Sequence, residues 1–201
     1  MKTLTIDPAR INQSLIAKTA QKVKTGGIVI FPTDTVYGIG CQADKVKSIK
    51  RIYHIKNREQ HKPLPVLIAG LRQLTGLQVI ITPEAKQLIN KFWPGPLTLI
   101  MPTASGGSIG LRMPQHPVAI ALLKITGPMA VTSVNFSGEA SARTIAEIPA
   151  GIIKAADLVI DSGACPLAIE STVVDMTGPR LKILRTGYIR QKEIRQAIKH
   201  V

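Results

Sequence analysis

The residues able to do chemistry in this chain gather in a few polar stretches, each just after an apolar run. FPTDTVYGIG at residues 31–40 follows the uninterrupted GGIVI of 26–30, which reads as a strand buried on both faces. Polar groups at the mouth of such a strand either face a ligand or close the turn itself, and Asp34 and its threonine neighbours suit both roles. KNREQHKPLP at 56–65 puts Lys56, Arg58 and Lys62 on a bend between a helix and the next strand. Cations so placed converge on a polyphosphate, Arg as a planar fork and Lys as a mobile point charge, or stand as a solvated corner. TSVNFSGEAS at 132–141 begins as the strand PMAV ends. Its hydroxyls, the Asn135 amide and the backbone amides around Gly138 form either an anion-binding concavity at the start of a helix or an ordinary N-cap region. Arg112 in GLRMP interrupts an apolar strand. An enclosed guanidinium needs an anion, and a substrate carboxylate and an internal Asp or Glu are the two candidates.

Several familiar sites are missing from the sequence: GxxxxGK followed by Ser or Thr, GxGxxG and HExxH. A phosphate site here works without a Walker loop. The four histidines, His54, His61, His116 and His200, have no ligand spacing and read as surface or capping residues. Cys41 and Cys165 lie far apart without CxxC spacing, which argues against a disulfide framework or a zinc site and for small buried residues.

The elements that must position these groups alternate between helical and strand patterns. Asp7-Pro8 resembles an N-cap with proline at the first helical position, followed by Ile11, Leu15 and Val23 until Gly26-Gly27 stops the helix. Asp44 is placed to cap a second helix with Val46, Ile49 and Tyr53 as its apolar stripe, ending near Lys56 or Asn57. LPVLIA at 64–69 is strand-like, Thr82-Pro83 opens a helix ending at Phe92-Trp93, and Pro94-Gly95-Pro96 breaks it before the strand LTLIM. IGLRM, PMAVT, DLVID, STVVD and LKILR supply further strands, with helices expected at 117–124, 142–148 and 189–199. Strands recurring between helices predict one α/β domain over residues 1–201, with antiparallel pairs where connections are short.

The 201 residues are 45% hydrophobic, enough for a sizeable core. No apolar run approaches the roughly 20 residues of a membrane span, and MKTLTIDPAR lacks the apolar segment of a signal peptide, so a cytoplasmic protein is expected. The charge stands out: 26 Lys+Arg against 12 Asp+Glu give +14, which favours nucleotides, RNA or another acidic partner. Most basic residues fall at 45–62 and from 180 to the C-terminus, patterns that read as solvated helix faces.

FPTDTVYGIGCQA, KNREQHKPLPVLI, FWPGPLTLI, LRMPQHP, TSVNFSGEAS, ESTVVD and ILRTG, in this order, resemble the YrdC/Sua5 (TsaC) family of L-threonylcarbamoyladenylate synthases in its single-domain form. One such motif is weak, but the ordered set, spanning residues 26–187, is specific. The resemblance implies the YrdC-like α/β fold, a twisted open sheet, mixed and largely antiparallel, flanked by helices. It also implies a nucleotidyltransferase that forms threonylcarbamoyl-AMP and pyrophosphate from L-threonine, bicarbonate or CO2, and ATP. That product feeds the tRNA threonylcarbamoyl transferase machinery, which makes N6-threonylcarbamoyladenosine.

By the same resemblance Thr33 or Thr35 lies in the threonine pocket, and Lys56, Arg58 and Lys62 match the triphosphate-binding set, with Lys56 and Arg58 the catalytic pair. Ser133, Asn135 and Ser141 match positions around the nucleotide phosphates, and Arg185 an ATP-contacting arginine. Arg112, Thr132 and Ser171 match positions near the amino acid. Mg2+ is expected to be held mainly by ATP oxygens, since the sequence has no carboxylate cluster to chelate it. Leu67 stands where some relatives carry a histidine, and longer relatives continue into a C-terminal domain. A rival reading is a non-catalytic double-stranded-RNA or ribosome-binding module, with phosphate-dominated tRNA or RNA contacts on a basic face because aromatics are only 3%. A third is a related carbamoyl-adenylate-forming domain acting on another acceptor.

Overall fold

A computed structural model of the protein describes residues 2–136 and 138–198. The chain opens with β1 (Lys2–Thr5), α1 (Gln13–Lys24), β2 (Val29–Phe31), β3 (Gly38–Gln42), α2 (Val46–Ile55) and the short β4 (Val66–Leu67). A 3-10 stretch (Leu71–Leu77) leads to α3 (Pro83–Phe92), β5 (Leu97–Pro102), β6 (Ser108–Arg112), α4 (Pro117–Thr126) and β7 (Met129–Ser133). There follow a 3-10 turn (Ile145–Glu147), α5 (Ala150–Ala155), β8 (Leu158–Asp161), β9 (Thr172–Asp175), β10 (Lys182–Arg185) and α6 (Gln191–Ala197). The strands form one ten-stranded sheet ordered β1-β8-β2-β3-β7-β4-β6-β5-β9-β10. Parallel pairs such as β5 with β9 lie beside antiparallel ones such as β5 with β6, so the sheet is mixed and open, as the sequence predicts.

The period-2 alternation of strands decides where the cavity lies. On β5, Leu97, Leu99 and Met101 point into the cluster that contains Leu88 and Ile89 of α3 and Ile194 of α6. Thr98 and Ile100, on the opposite face, line a cavity. The neighbours repeat the pattern: Leu111 of β6 and Val174 of β9 join the core, while Gly110, Arg112 and Val173 face the cavity. Burial of each large apolar side chain contributes about 1.5–3 kcal/mol, which anchors the sheet on α3 and α6 and fixes which face remains for a ligand. The other half of the sheet is covered on both faces, with Val29 and Phe31 of β2 packed toward α1 and α4, and Ile28 and Ile30 toward α2 and α5.

Local structure departs from the sequence reading in identifiable places. Helix α1 starts at Gln13, because Asn12 Oδ1 accepts from the amides of Ser14 and Leu15 at 3.1 and 3.2 Å. Asp7 instead closes a turn onto Ala9 N at 2.8 Å, and β1, which the sequence reading lacks, pairs parallel with β8 ahead of it. Asp44 does not cap α2: Lys45 holds the N-cap position without a side-chain bond. Val46 is 63% exposed, and the buried positions of α2 are Ser48, Ile52 and Tyr53. The helix expected at 142–148 is only the short 3-10 turn, with α5 following it, so no helix begins beside Gly138. The expected end of the last helix at Lys199, and His200, lie outside the described residues. The polar turn after β2 leads straight back into β3 as an antiparallel hairpin. A Cβ on Gly38 or Gly40 would sit 2.7 Å from a methyl of Val131, so glycine at both lets β7 pack against β3.

Candidate active site

Thr33 and Thr35 both line the cavity, whose volume is about 780 Å³, within the usual range of small-molecule sites. Thr33 Oγ1 donates to Val36 O at 2.7 Å and accepts from the amides of Thr35 and Val36 at 3.2 and 3.3 Å, so it closes the turn. With that proton committed, Thr35 must be the donor in the 3.0 Å bond between the two hydroxyls. Thr35 Oγ1 in turn accepts from Arg112 Nη1 at 2.7 Å. A directed chain results, Arg112 to Thr35 to Thr33 to Val36 O, in which Thr35 retains accepting capacity and Thr33 is saturated.

Arg112 is 6% exposed and finds the internal carboxylate: Nη2 pairs with Asp34 Oδ1, while Nε donates to Gly95 O at 3.0 Å. Burial lowers its pKa and the Asp34 charge opposes that. Both candidate anions of the sequence reading therefore remain in play, because Nη1 and Nη2 each keep a second N–H. Behind this pair, Asp34 Oδ2 and His116 Nδ1 are buried without a hydrogen-bond partner. His116 stands at the N-cap position of α4 but makes no side-chain cap bond, and it corrects the surface expectation: it is 5% exposed, and burial lowers its pKa against the pull of Asp34.

The basic bend splits into an inward and an outward part. The backbone at Asn57 turns left-handed (φ 48°) just after α2, which separates Lys56 from Arg58. Lys56 is 2% exposed and does not line the cavity. Its Nζ donates to Ser133 O, and to Asn135 Oδ1 and Thr132 Oγ1 at 3.3 and 3.4 Å. Burial, helped by Arg58 and opposed by Glu170, pushes its pKa down to about 8. Asn135, equally withdrawn, donates to Phe136 O and Glu139 O at 3.0 and 2.7 Å. Thr132 and Ser133 are thus held against the cavity by groups behind them. Arg58 and Lys62 stand on its wall. Arg58 bonds only main-chain oxygens, Lys62 O at 3.1 Å and Pro63 O at 3.5 Å, and Lys62 Nζ lies 2.6 Å from exposed Glu59.

Arg185, also on the cavity wall, donates to Ser171 O and Ser171 Oγ at 3.1 and 3.2 Å and pairs with Glu170 at 2.6 Å. Ser171 Oγ also shares a 2.9 Å bond with Thr98 Oγ1. Ser141 does not line the cavity but donates to Glu170 Oε1. Sequence reasoning missed Glu170, Thr98, Tyr37 and Leu184 as wall residues. Glu170, at the head of ESTVVD, entered the sequence reading with Asp34 only as a possible internal partner of Arg112, whereas Arg112 takes Asp34 and Glu170 takes Arg185, and the alternation of LTLIM was the signal for Thr98. Both thiols are buried, and burial pushes Cys41 up to about 12 and Cys165 to about 11, consistent with unreactive core residues.

Among the described residues no group of three or more His, Cys, Asp or Glu converges on a metal position. The single carboxylate on the cavity wall is already engaged by Arg185 and Ser141. The donor set does not fit a Mg2+ cage. No helix among the described residues is long and apolar enough to cross a membrane.

This chain is 35% identical over 199 residues to the threonylcarbamoyl-AMP synthase of Pyrococcus abyssi, a match covering 94% of this chain and 58% of the relative. A shorter relative, from Mycobacterium tuberculosis, is 32% identical over 201 residues and is covered to 92%, with 96% of this chain matched. The crystal structure of P. abyssi Sua5 complexed with L-threonine superimposes with a TM-score of 0.91 at 32% identity, covering 100% of this chain and 62% of that one. The chain thus spans about three fifths of the longer relatives. A family model, Sua5_yciO_yrdC, described as telomere recombination, matches residues 21–187, and with these likenesses it establishes that the chain belongs to the Sua5/YciO/YrdC family.

Proposed function

We propose that this chain is a threonylcarbamoyl-AMP synthase acting as a single domain in the cytoplasm. It takes L-threonine, bicarbonate or CO2, and MgATP to threonylcarbamoyl-AMP and pyrophosphate, for N6-threonylcarbamoyladenosine in tRNA. The observation that carries the reading is that two unlike binding ends share one cavity in a chain of this family. One end is the Thr35, Arg112 and Ser171 group; the other is the wall carrying Arg58, Lys62 and Arg185. The first suits a zwitterion: Thr35 Oγ1 accepts from an amino group, and the free N–H positions of Arg112 reach a carboxylate. The second suits a triphosphate, with Ser133 beside it and Lys56 and Asn135 holding that strand end from behind.

No residue need become covalent. The threonine amine adds to CO2 as a carbamate, and a carbamate oxygen attacks the α-phosphorus as pyrophosphate leaves. The protein's part is to hold two anions in line and to neutralise charge as it moves onto the leaving group. A walled cavity also keeps water from the mixed anhydride that forms. The labile product then passes to the tRNA threonylcarbamoyl transferase machinery.

The test is pyrophosphate release measured with and without L-threonine and with and without bicarbonate. Release that requires both supports the proposal. Turnover that is equal without threonine removes it in favour of another carbamoyl acceptor, and a chain that binds RNA but releases no pyrophosphate is a binding module.

A further inference from the structure

Among the described residues Glu170 is the one carboxylate lining the cavity, and the mechanism above gives it no part. A bare carboxylate beside a triphosphate repels it, so its retention on this wall needs a compensating contact. Its two oxygens are shared between two segments: Oε1 accepts from Ser141 Oγ at 2.5 Å, and Oε2 lies 2.6 Å from Arg185 Nη1. Its main-chain oxygen accepts from Tyr188 N at 3.0 Å. Gly187 packs so closely on it that a Cβ there would fall 2.1 Å from that oxygen. The carboxylate is therefore fixed between the start of β9, the end of β10 and the segment around Ser141.

Arg185 depends on that fixed point. Strand β10 is the sheet edge, and the Arg185 side chain is 45% exposed, a setting in which a long side chain ordinarily samples many rotamers. Here all three guanidinium nitrogens are engaged, Nε and Nη2 by Ser171 and Nη1 by Glu170. The fork is held in one orientation with one N–H left on each of Nη1 and Nη2. At 2.6 Å Arg185 also neutralises Glu170, so the phosphates meet a paired dipole instead of a bare anion.

We infer that Glu170, braced by Ser141, is a positioning residue for the nucleotide, acting through Arg185 to fix a guanidinium fork at the phosphate end of the cavity. The inference rests on the proposed function, because Arg185 matters here as a nucleotide contact. It makes Glu170 favourable to ATP binding despite its sign: ordering of Arg185 before binding outweighs the residual repulsion.

The experiment is direct titration of a non-hydrolysable Mg-ATP analogue into the wild type, Glu170→Gln, Arg185→Ala and the double variant. Glutamine keeps the length and an acceptor for Ser141 but cannot pair with Arg185 as an anion. Glu170→Gln is expected to weaken analogue binding about tenfold, the loss of one charge-assisted contact. The double variant should be no weaker than Arg185→Ala alone, because Glu170 acts through that residue. The KM for threonine should stay within about twofold, a split that general loosening of the fold would not give. Ser141→Ala, which leaves the ion pair but removes the brace on Glu170, should weaken binding about threefold. Unchanged or tighter binding in Glu170→Gln overturns the inference, as do losses that multiply in the double variant or full affinity in Ser141→Ala. A wild type that binds the analogue yet releases no threonine-dependent pyrophosphate overturns the proposed function instead, while the titration still decides the role of Glu170.

Discussion

Replacing Arg112 probes the threonine end of the cavity through two readouts that separate its roles. Arg112→Met leaves Asp34, which is 2% exposed, with an uncompensated charge and leaves Thr35 and Gly95 without their donor. Breaking a buried ion pair from one side costs about 3–5 kcal/mol, and at about 2–4 °C per kcal/mol for a chain of this length Tm should fall by roughly 6–20 °C. Arg112→Lys keeps a charge, but one ammonium cannot serve Gly95 O, Thr35 Oγ1 and Asp34 in the directions that the fork does. Loss of one charge-assisted bond, about 1.5–3 kcal/mol, lowers Tm by roughly 3–12 °C. The threonine requirement should rise about tenfold or more while ATP affinity changes little. Asp34→Asn should destabilise similarly, and the Asp34→Asn/Arg112→Met double variant should lose less than the sum of its singles. Thermal melting and threonine titration of the same preparations decide the matter. Melting within about 2 °C of wild type for both Arg112 variants would refute the energetics assigned to the pair. A large fall in Tm with unchanged threonine dependence would leave Arg112 a structural residue and reject its part in binding the substrate carboxylate.

Arg58→Ala should weaken ATP use about 10- to 100-fold with little change in Tm, whereas Lys56→Ala should do both, since Lys56 is buried under the strand end at 132–135; Lys45→Ala should do neither, and identical behaviour of all three would point to a general field. Because burial holds Lys56 near 8 against an ordinary 10.5, the unfolded chain binds the extra proton between those values. Stability should therefore rise with pH across that window, by about 3 kcal/mol at most, and denaturant titrations of Lys56→Met should lack the rise. ATP use, which needs the cation, should decline above about pH 8 in the wild type, and a flat alkaline limb would remove that role. Gly187→Ala would force a Cβ to 2.1 Å from Glu170 O, so a Tm loss of several degrees with weakened ATP binding is expected, and a silent substitution would show that this corner yields easily. Any RNA binding by the basic surface that carries Lys24, Lys45, Lys47 and Arg51 should fall steeply with salt and be separable from synthesis; sequence-selective binding that survives high salt would count against it.

What the sequence made legible follows from how local each signal is. Proline at the first position of α3 and α4, apolar runs for β5 to β9 and the glycine-rich break before β2 are local, and those elements stand where expected. Strand β1 was hidden because KTLT is short and earns its place only by pairing with β8, more than 150 residues away. Asn12 outcompeted Asp7 as a cap because the chain first turns at Asp7, a choice no single-residue preference encodes. Most of the candidate site was visible by residue type, Thr35, Arg58, Lys62, Arg112 and Ser133, with Arg185 supplied by the family resemblance alone, and these residues do meet on one cavity. The orientation of Lys56 was not visible, because it depends on a left-handed Asn57 that splits two neighbouring cations between interior and wall. Glu170 escaped for the converse reason, since a carboxylate next to a basic site makes sense only once its partners are known.

The pairing pattern divides labour among the cations in a way that their number alone cannot. Arg112 is matched by Asp34, Arg185 by Glu170 and Lys62 by Glu59, so each of these offers direction more than net charge. Arg58 and Lys56 pair with no carboxylate among the described residues and bond only neutral oxygens. Unmatched positive charge near the cavity is therefore concentrated at the KNR bend, and a polyanion gains most of its Coulomb energy there. The carboxylate-paired arginines at the other sides supply planar, fixed donors that set register. Analogue binding by Arg58→Ala should accordingly lose part of its dependence on ionic strength, since an unpaired cation is screened as a monopole. Arg112→Lys, which keeps the charge, should leave the salt slope at its wild-type value, whereas Glu170→Gln leaves Arg185 unpaired and should steepen it. Equal salt slopes for Arg58→Ala and wild type would show that the charge is felt from the whole surface and not from this bend.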